Sequence, residues 1–133
     1  MTFDQFTGQV QHRARLASTG DALRAIRATL TVLGQRLYGG EAYELAAQLP
    51  EEIKRYLQQA LPSETFGLTE FYQRVADLEG VDMPESVFHS RAVISVLIDA
   101  VSPGEIRDML DQLPSDYAPL FNWEGTGEER EAA

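Results

Sequence analysis

The sequence predicts an all-α protein, a single helical bundle made of two pseudo-symmetric repeats of three to four helices each. Three observations lead to this fold class. Apolar residues recur at steps of three and four along most of the chain, which is the spacing of one helix face. The second half aligns with the first half at a nearly constant offset. The tripeptide Gln-Leu-Pro follows the apolar pattern in both halves, at residues 48–50 and 112–114.

The internal alignment has an offset of 64 residues from Asp21 onward, and it contains nine identities in 37 positions. Upstream the offset is 65, which pairs Phe6 with Phe71 and Val10 with Val75. The identical pairs are Arg27/Arg91, Ala28/Ala92, Val32/Val96, Leu33/Leu97, Gly40/Gly104, Glu41/Glu105, Gln48/Gln112, Leu49/Leu113 and Pro50/Pro114. Two copies of so long a unit favour one pseudo-twofold domain over an open solenoid.

The first repeat, residues 1–61, contains three helical segments before its proline. A first helix presents Phe3, Phe6 and Val10 on one face. The central helix, with Thr19 as its N-cap, carries a 3-4-3-4 pattern at Leu23, Ile26, Leu30, Leu33 and Leu37. Gly39-Gly40 ends that helix, and a short third helix carries Leu45, Ala46 and Leu49.

The second repeat, residues 68–121, follows the same order. Its first helix carries Leu68, Phe71, Val75 and Leu78, and its central helix carries Val87, Ile94, Leu97 and Val101. Asp82 followed by Pro84 is typical of a helix start. Ser102 and Glu105 have the spacing of a capping box at the start of the third helix, which carries Met109, Leu110 and Leu113.

Gln-Leu-Pro predicts a corner. Proline lacks an amide hydrogen and disfavours helical geometry in the preceding residue, so the third helices should stop at Leu49 and Leu113. A fourth turn or helix should begin at Pro50 and Pro114, with proline at the first helical position. The glutamine is well placed to bond the unpaired backbone groups at a helix end. We therefore interpret the motif as structural.

The domain organisation is one all-α domain over residues 1–121, with a linker at 62–67 between the repeats. Residues 122–133 are rich in Gly and Glu and lack apolar periodicity, so we expect an acidic, disordered tail or a partner-binding appendage. The chain has no cysteine, no signal-peptide pattern and no run of 18 apolar residues, and from this we expect a cytoplasmic protein without a membrane span.

The net charge of −10 is distributed unevenly. Residues 1–65 carry seven basic and seven acidic side chains, whereas residues 66–133 carry four and fourteen. Four basic residues fall within fifteen positions of the first half: Arg13, Arg15, Arg24 and Arg27. Because an acidic chain repels the nucleic-acid backbone, we expect no nucleic-acid binding.

The sequence offers no pattern for catalysis, a metal or a cofactor, and we expect none of these. His12 and His89 fall at unmatched positions of the repeat, and solvent-facing histidine is the ordinary interpretation. The pairs Asp108/Asp111 and Glu51/Glu52 offer carboxylates for acid/base chemistry, yet this spacing is more typical of a solvated helix face. Serines in the second central helix lack a nucleophile elbow.

Arg27 and Arg91 are the basic residues at matching positions of the two repeats. We expect each guanidinium to reach Glu41 or Glu105, or nearby carbonyl groups, and so to join the second and third helices. Anion binding by the pair is the functional alternative.

Aromatic residues cluster at the end of the second repeat, at Tyr117, Phe121 and Trp123. Core packing is the ordinary interpretation of this cluster. Trp123 lies beyond the repeat, and tryptophan and tyrosine are favoured at interaction hot spots, so we name these three residues with the arginines as the candidate interaction surface.

The doubled pattern resembles a known family. An F-x-x-F or T-E-F start, R-A-T or R-A-V in the central helix, a Gly-Glu step and then Q-L-P resemble the bacterial domain-of-unknown-function family 2267 over residues 3–121. The resemblance implies an uncharacterised, mostly helical bacterial domain. It brings no catalytic residue or substrate.

We therefore predict a non-catalytic protein–protein interaction or regulatory accessory domain. Its neutral, arginine-bearing half and its acidic half are suited to self-association or to a protein partner. The alternative is a small-molecule or lipid carrier that binds between the central helices.

Overall fold

The structure is a computed structural model that describes residues 1–61 and 65–123 of the chain. These residues form seven α-helices and one 3₁₀ helix, and no β-strand lies within those ranges. The helices are α1 (Phe3–Arg13), α2 (Thr19–Arg36), α3 (Glu41–Ala46), α4 (Glu51–Gln58), α5 (Leu68–Glu79), α6 (Met83–Ala100), α7 (Pro103–Asp111) and the 3₁₀ helix Ser115–Phe121. The all-α prediction is confirmed. Part of the predicted linker, 62–64, and most of the predicted tail, 124–133, lie outside the described residues.

The helix starts follow from side chains that accept backbone N–H groups. Asp82 caps α6 as predicted, since its carboxylate accepts from the amide of Glu85 at 2.9 Å. The cap of α2 is Ser18, whose hydroxyl accepts from the amide of Asp21 at 3.1 Å. The prediction of Thr19 as the N-cap was wrong by one residue, because Thr19 already belongs to the helix.

The core lies around α2 and α6, the two 18-residue helices. α2 packs against α1, α4, α5 and α6. Gly34 permits the approach of the chain that leaves α4, because a Cβ at this position would lie 2.6 Å from the Cβ of Ala60. The fully buried side chains at the centre include Phe6, Ile26, Leu30, Leu33, Phe71, Ile94, Leu97 and Tyr117.

Arg36, the last residue of α2, connects three separate segments although it is almost completely buried. Its Nε donates to the carbonyl of Phe66 at 2.8 Å, and its guanidinium lies over the rings of Phe66 and Tyr117. The Tyr117 hydroxyl donates to the same Phe66 carbonyl at 2.8 Å. These contacts join the end of α2, the entry to α5 and the 3₁₀ helix.

The two Gln-Leu-Pro corners differ slightly from the prediction. α3 ends at Ala46 and α7 ends at Asp111, so both helices stop short of Leu49 and Leu113. Each proline takes the N-cap position of the helix that follows and not its first helical position. A proline backbone in extended geometry fits there because an N-cap residue lies outside the helix. The expected break at the motif is confirmed.

Each glutamine of the motif makes two hydrogen bonds to a residue in the other half of the chain. Gln48, which follows α3, accepts from the amide of Ser102 at 2.7 Å and donates to its hydroxyl at 3.2 Å. Gln112, the C-cap of α7, accepts from the amide of Tyr38 and donates to its carbonyl, both at 2.9 Å. The end of each helix thus lies beside the start of the other. We call these four hydrogen bonds the glutamine clamp.

Within the described ranges, no helix has both the length and the apolar character that a membrane crossing requires.

We predict that Gln48→Ala and Gln112→Ala each lower the free energy of unfolding by about 1–2 kcal/mol, because each removes two hydrogen bonds at a helix end. Urea unfolding followed by circular dichroism measures the change. Gln9→Ala is the matched control, because Gln9 is exposed on α1, and it should shift stability by less than about 0.5 kcal/mol. Equal effects from all three variants would contradict a role for the clamp.

Candidate functional site

Two adjoining grooves on the first half of the chain share Arg27 and Thr31. The larger, of about 390 Å³, is lined by Arg27, Thr31, Arg55, Tyr56, Gln59 and Ala60. The smaller, of about 270 Å³, is lined by Arg24, Arg27, Ala28, Thr31 and Leu78. We call this surface the arginine groove. It brings two of the four predicted arginines together with Arg55, which the sequence analysis did not select.

The guanidinium groups of the arginine groove differ in how they are neutralised. Arg24 pairs with Asp21 at 2.7 Å on the same helix. Arg27 is exposed and makes no hydrogen bond or ion pair with the described residues. Arg55 is also exposed and lies over the ring of Tyr56 at 5.5 Å. Exposed Leu78 adds an apolar rim, so the groove combines positive charge with uncovered apolar area.

The other two predicted arginines lie elsewhere. Arg13 connects α1 to α6, since its guanidinium donates to the hydroxyl of Ser95 at 2.9 Å and pairs with Asp99 at 2.7 Å. It is therefore a structural brace. Arg15 is exposed just beyond α1, with a left-handed backbone at a φ of 54°.

Neither Arg27 nor Arg91 makes the expected ion pair with Glu41 or Glu105, because the two glutamates turn toward each other. Arg91 does bond a carbonyl, that of Asn122 at 2.8 Å, but this carbonyl lies at the end of the described chain, so the expected link between the second and third helices is not formed. Arg27 faces the arginine groove.

The aromatic cluster is largely core. Tyr117 is 1% exposed and lies edge-on to Phe71, which contradicts its assignment to an interaction surface. Phe121 is half-buried and, with exposed Leu110, lines an apolar groove of about 320 Å³. Trp123 stacks on Phe88 of α6 with ring centroids 5.7 Å apart, and its indole nitrogen is buried. The packed chain thus continues beyond the domain end predicted at residue 121.

Three carboxylates converge between α3 and α7. Glu41 lies at the start of α3, while Glu105 and Asp108 lie one helical turn apart on α7. One oxygen from each residue lies within 4.8 Å of the other two. In the part of the chain described, these are the three residues whose oxygens are grouped closely enough to act as common metal ligands. We call them the carboxylate cluster.

The burial of Glu41 separates this cluster from an ordinary acidic surface. Glu41 is only 7% exposed, whereas Glu105 is half-buried and Asp108 is exposed. One oxygen of Glu41 and one of Glu105 are buried and accept no hydrogen bond from an N–H or O–H donor of the described residues. Burial, followed by the charge of Glu105, raises the pKa of Glu41 to about 7, and Glu44 and Asp108 act in the same direction. The capping box predicted at Ser102 is half formed: the hydroxyl accepts from the Glu105 amide, while the Glu105 carboxylate faces Glu41.

The histidines also differ from the sequence interpretation. His12 is exposed as expected. His89 is 5% exposed, and its Nδ1 lies 2.5 Å from a carboxylate oxygen of Glu79 on α5. The prediction of a solvent-facing His89 was wrong because α5 supplies a buried carboxylate that periodicity along α6 cannot reveal. The pair joins α5 to α6.

The fold and these two charged sites define the class of the protein: it is a small all-α domain with an arginine-lined groove on one half and a partly buried carboxylate cluster between two short helices. The chain belongs to the family of uncharacterised conserved proteins DUF2267, whose model matches residues 3–120. The membership inferred from the repeated motifs is confirmed. No curated protein matches the chain.

We predict that Glu41→Gln stabilises the metal-free protein at pH 8, by on the order of 2 kcal/mol, and has little effect at pH 5. The folded state holds a proton on Glu41 up to about pH 7, whereas its ordinary pKa is 4.5. The contribution of this group to stability therefore falls as the pH rises from about 4.5 to about 7. Glutamine mimics the protonated form at every pH.

Urea unfolding in EDTA at the two pH values measures the difference. Glu52→Gln is the matched control, because Glu52 is exposed on α4. A Glu41→Gln effect that is the same at pH 5 and pH 8 would contradict the raised pKa.

Proposed function

We propose that this protein acts by non-catalytic association, as an adaptor or regulatory accessory domain that binds an acidic surface through its arginine groove. The single observation that carries the proposal is Arg27, an exposed guanidinium that lines both grooves and has no polar partner among the described residues. A second arginine, Arg55, lies in the same surface.

The groove has the chemistry of a protein-binding site. Arginine is enriched at interaction hot spots because its planar guanidinium donates two parallel hydrogen bonds to a carboxylate and also stacks on apolar surface. Tyr56 and Leu78 supply such surface beside Arg55 and Arg27. An acidic partner segment would pair with both arginines, and exposed pairs of this kind are weakened by salt.

The chain itself contains a partner with this chemistry. Residues 66–133 carry fourteen acidic and four basic side chains, whereas residues 1–65 are neutral. We propose that the arginine groove of one copy meets the acidic half of another copy in a head-to-tail contact. A separate acidic protein would use the same groove.

We also propose that the domain consists of two pseudo-symmetric repeats, related by an axis between α3 and α7. The reciprocal bonds of the glutamine clamp support this arrangement. Gln48 bonds Ser102 and Gln112 bonds Tyr38, and both the two glutamines and the two residues that they bond are aligned at the offset of 64. On this proposal the halves share one architecture and differ in charge, which assigns the basic surface to one half and the acidic surface to the other.

The alternative carrier function requires space between the central helices. Leu30 and Leu33 of α2 and Leu97 of α6 are fully buried in one apolar cluster, which favours association over carriage. Native mass spectrometry of the purified protein distinguishes the two, since a copurifying small molecule or lipid supports the carrier.

We predict that the protein self-associates at 20 mM NaCl and dissociates at 300 mM NaCl, because salt screens the attraction between the two halves. Sedimentation velocity over a concentration series measures the weight-average mass against the monomer mass of 14.8 kDa. A monomer at every concentration and both salt levels would contradict self-association.

Arg27→Ala should weaken that association about fivefold, the effect of losing roughly 1 kcal/mol at a charge pair. Arg107→Ala removes the same charge from an exposed position on α7. Because Arg107 belongs to the acidic half, this variant should associate as tightly as the parent protein or more tightly. Stability should change by less than about 0.5 kcal/mol in Arg27→Ala, since that side chain has no polar partner to lose. Equal weakening by the two variants would count against the groove.

A further inference from the structure

We propose that Glu41, Glu105 and Asp108 form a binding site for a hard divalent cation of the size of calcium, between α3 and α7. The site is separate from the arginine groove. The inference therefore does not rest on the proposed association function, and each can fail without the other.

The spacing of the carboxylate cluster fits one ion. Two ligands of the same metal cannot lie farther apart than twice the metal–oxygen distance, which is about 4.6–5.2 Å for calcium and about 4.2 Å for magnesium. The three oxygens lie within 4.8 Å of one another. Each pair of oxygens therefore lies inside the upper limit for calcium, about 5.2 Å.

The burial of Glu41 is a second and independent observation. Exposed acidic groups commonly share a surface without a ligand, but Glu41 is only 7% exposed, and one of its oxygens accepts no hydrogen bond from an N–H or O–H donor of the described residues; the Glu105 carboxylate is the neighbour within hydrogen-bond reach of Glu41. One oxygen of Glu105 is in the same position. Buried oxygens without a partner are costly and uncommon in folded proteins. A cation held between the two glutamates would satisfy both of them.

Among residues 1–61 and 65–123, no basic side chain is hydrogen-bonded or ion-paired to Glu41, Glu105 or Asp108. The side-chain charges that act on Glu41 are those of Glu105, Glu44 and Asp108, and all three are negative. Arg91, the expected partner, donates to the carbonyl of Asn122. The repulsion among these carboxylates is not offset by a basic side chain of the described residues. A bound divalent cation would offset it directly.

The donor set selects the kind of metal. Three carboxylates and water offer oxygen ligands alone, which suit calcium, magnesium and manganese and give little preference for zinc or copper. The glutamine clamp holds the ends of α3 and α7 on either side of the cluster, so the ligands are brought together before the ion binds. The bound ion would connect the two halves of the chain a second time.

Isothermal titration calorimetry of EDTA-treated, dialysed protein with CaCl₂, and separately with MnCl₂, tests the proposal at pH 8. We expect one ion per chain with a submillimolar Kd, and a rise in Tm of at least about 4 °C at saturating metal. In NMR spectra, Mn²⁺ should broaden amide signals of α3 and α7 before those of α1, which locates the ion.

Glu41→Gln and Glu105→Gln should each weaken binding at least tenfold, and Asp108→Asn should weaken it several-fold. The control Glu52→Gln removes the same charge from an exposed position on α4 and should change Kd less than twofold. Neutral variants relieve the repulsion, so they are expected to fold at least as stably as the metal-free parent. Their unfolding curves in EDTA separate a lost ligand from a lost fold.

Three outcomes would overturn the proposal. The first is the absence of both a binding heat and a Tm shift with either ion at 5 mM. The second is binding that Glu41→Gln and Glu105→Gln leave unchanged, which would place the ion elsewhere. The third is stabilisation by lowering the pH below 7 with no response to metal, which would mean that the two glutamates share a proton and not a cation.

Discussion

The contact between α3 and α7 is the constraint that brings the carboxylates of Glu41, Glu105 and Asp108 together. Two glutamine side chains hold the end of each helix against the backbone at the start of the other. That arrangement fixes two short helices which, at six and nine residues, have little stability of their own. It also places the charge of Glu105 beside Glu41, and burial together with that charge raises the pKa of Glu41 to about 7. The clamp thus stabilises the fold and at the same time maintains an electrostatic repulsion inside it.

Two buried polar side chains of α6 are paired with groups of α5. His89 of α6 meets Glu79 of α5, and the Ser86 hydroxyl donates to the carbonyl of Tyr72 at 2.6 Å. In the internal alignment His89 corresponds to Ala25, and Ala25 is buried in the apolar interior of the first half. At this position the second half has a directional hydrogen bond where the first half has apolar packing. Such bonds fix a unique register between neighbouring helices, because a shifted helix would leave the same groups unpaired.

The sequence predicted the helices well because their apolar periodicity and caps are local properties. The corner at Gln-Leu-Pro, the Asp82 cap and the order of the elements all follow from residues within a few positions of one another. The sites were harder to predict. Glu41, Glu105 and Asp108 were each noticed, but Glu105 was assigned to a helix cap and Asp108 to a pair with Asp111. Their meeting depends on which helix ends lie side by side, and a bond such as Gln48 to Ser102 spans 54 positions. Trp123 was placed on the surface because no pattern in the sequence indicates that Phe88 lies beneath it.

The stacking of Trp123 on Phe88 gives the molecule a built-in optical reporter. Trp123 is the single tryptophan of the chain, so its fluorescence comes from one place on α6. The indole nitrogen is shielded from water, and the neighbouring Asn122 is held by Arg91. Emission from this ring therefore reports the contact of Trp123 with α6. Any event that lifts Trp123 off Phe88 becomes visible as a change in the emission, without a label and without altering the chain.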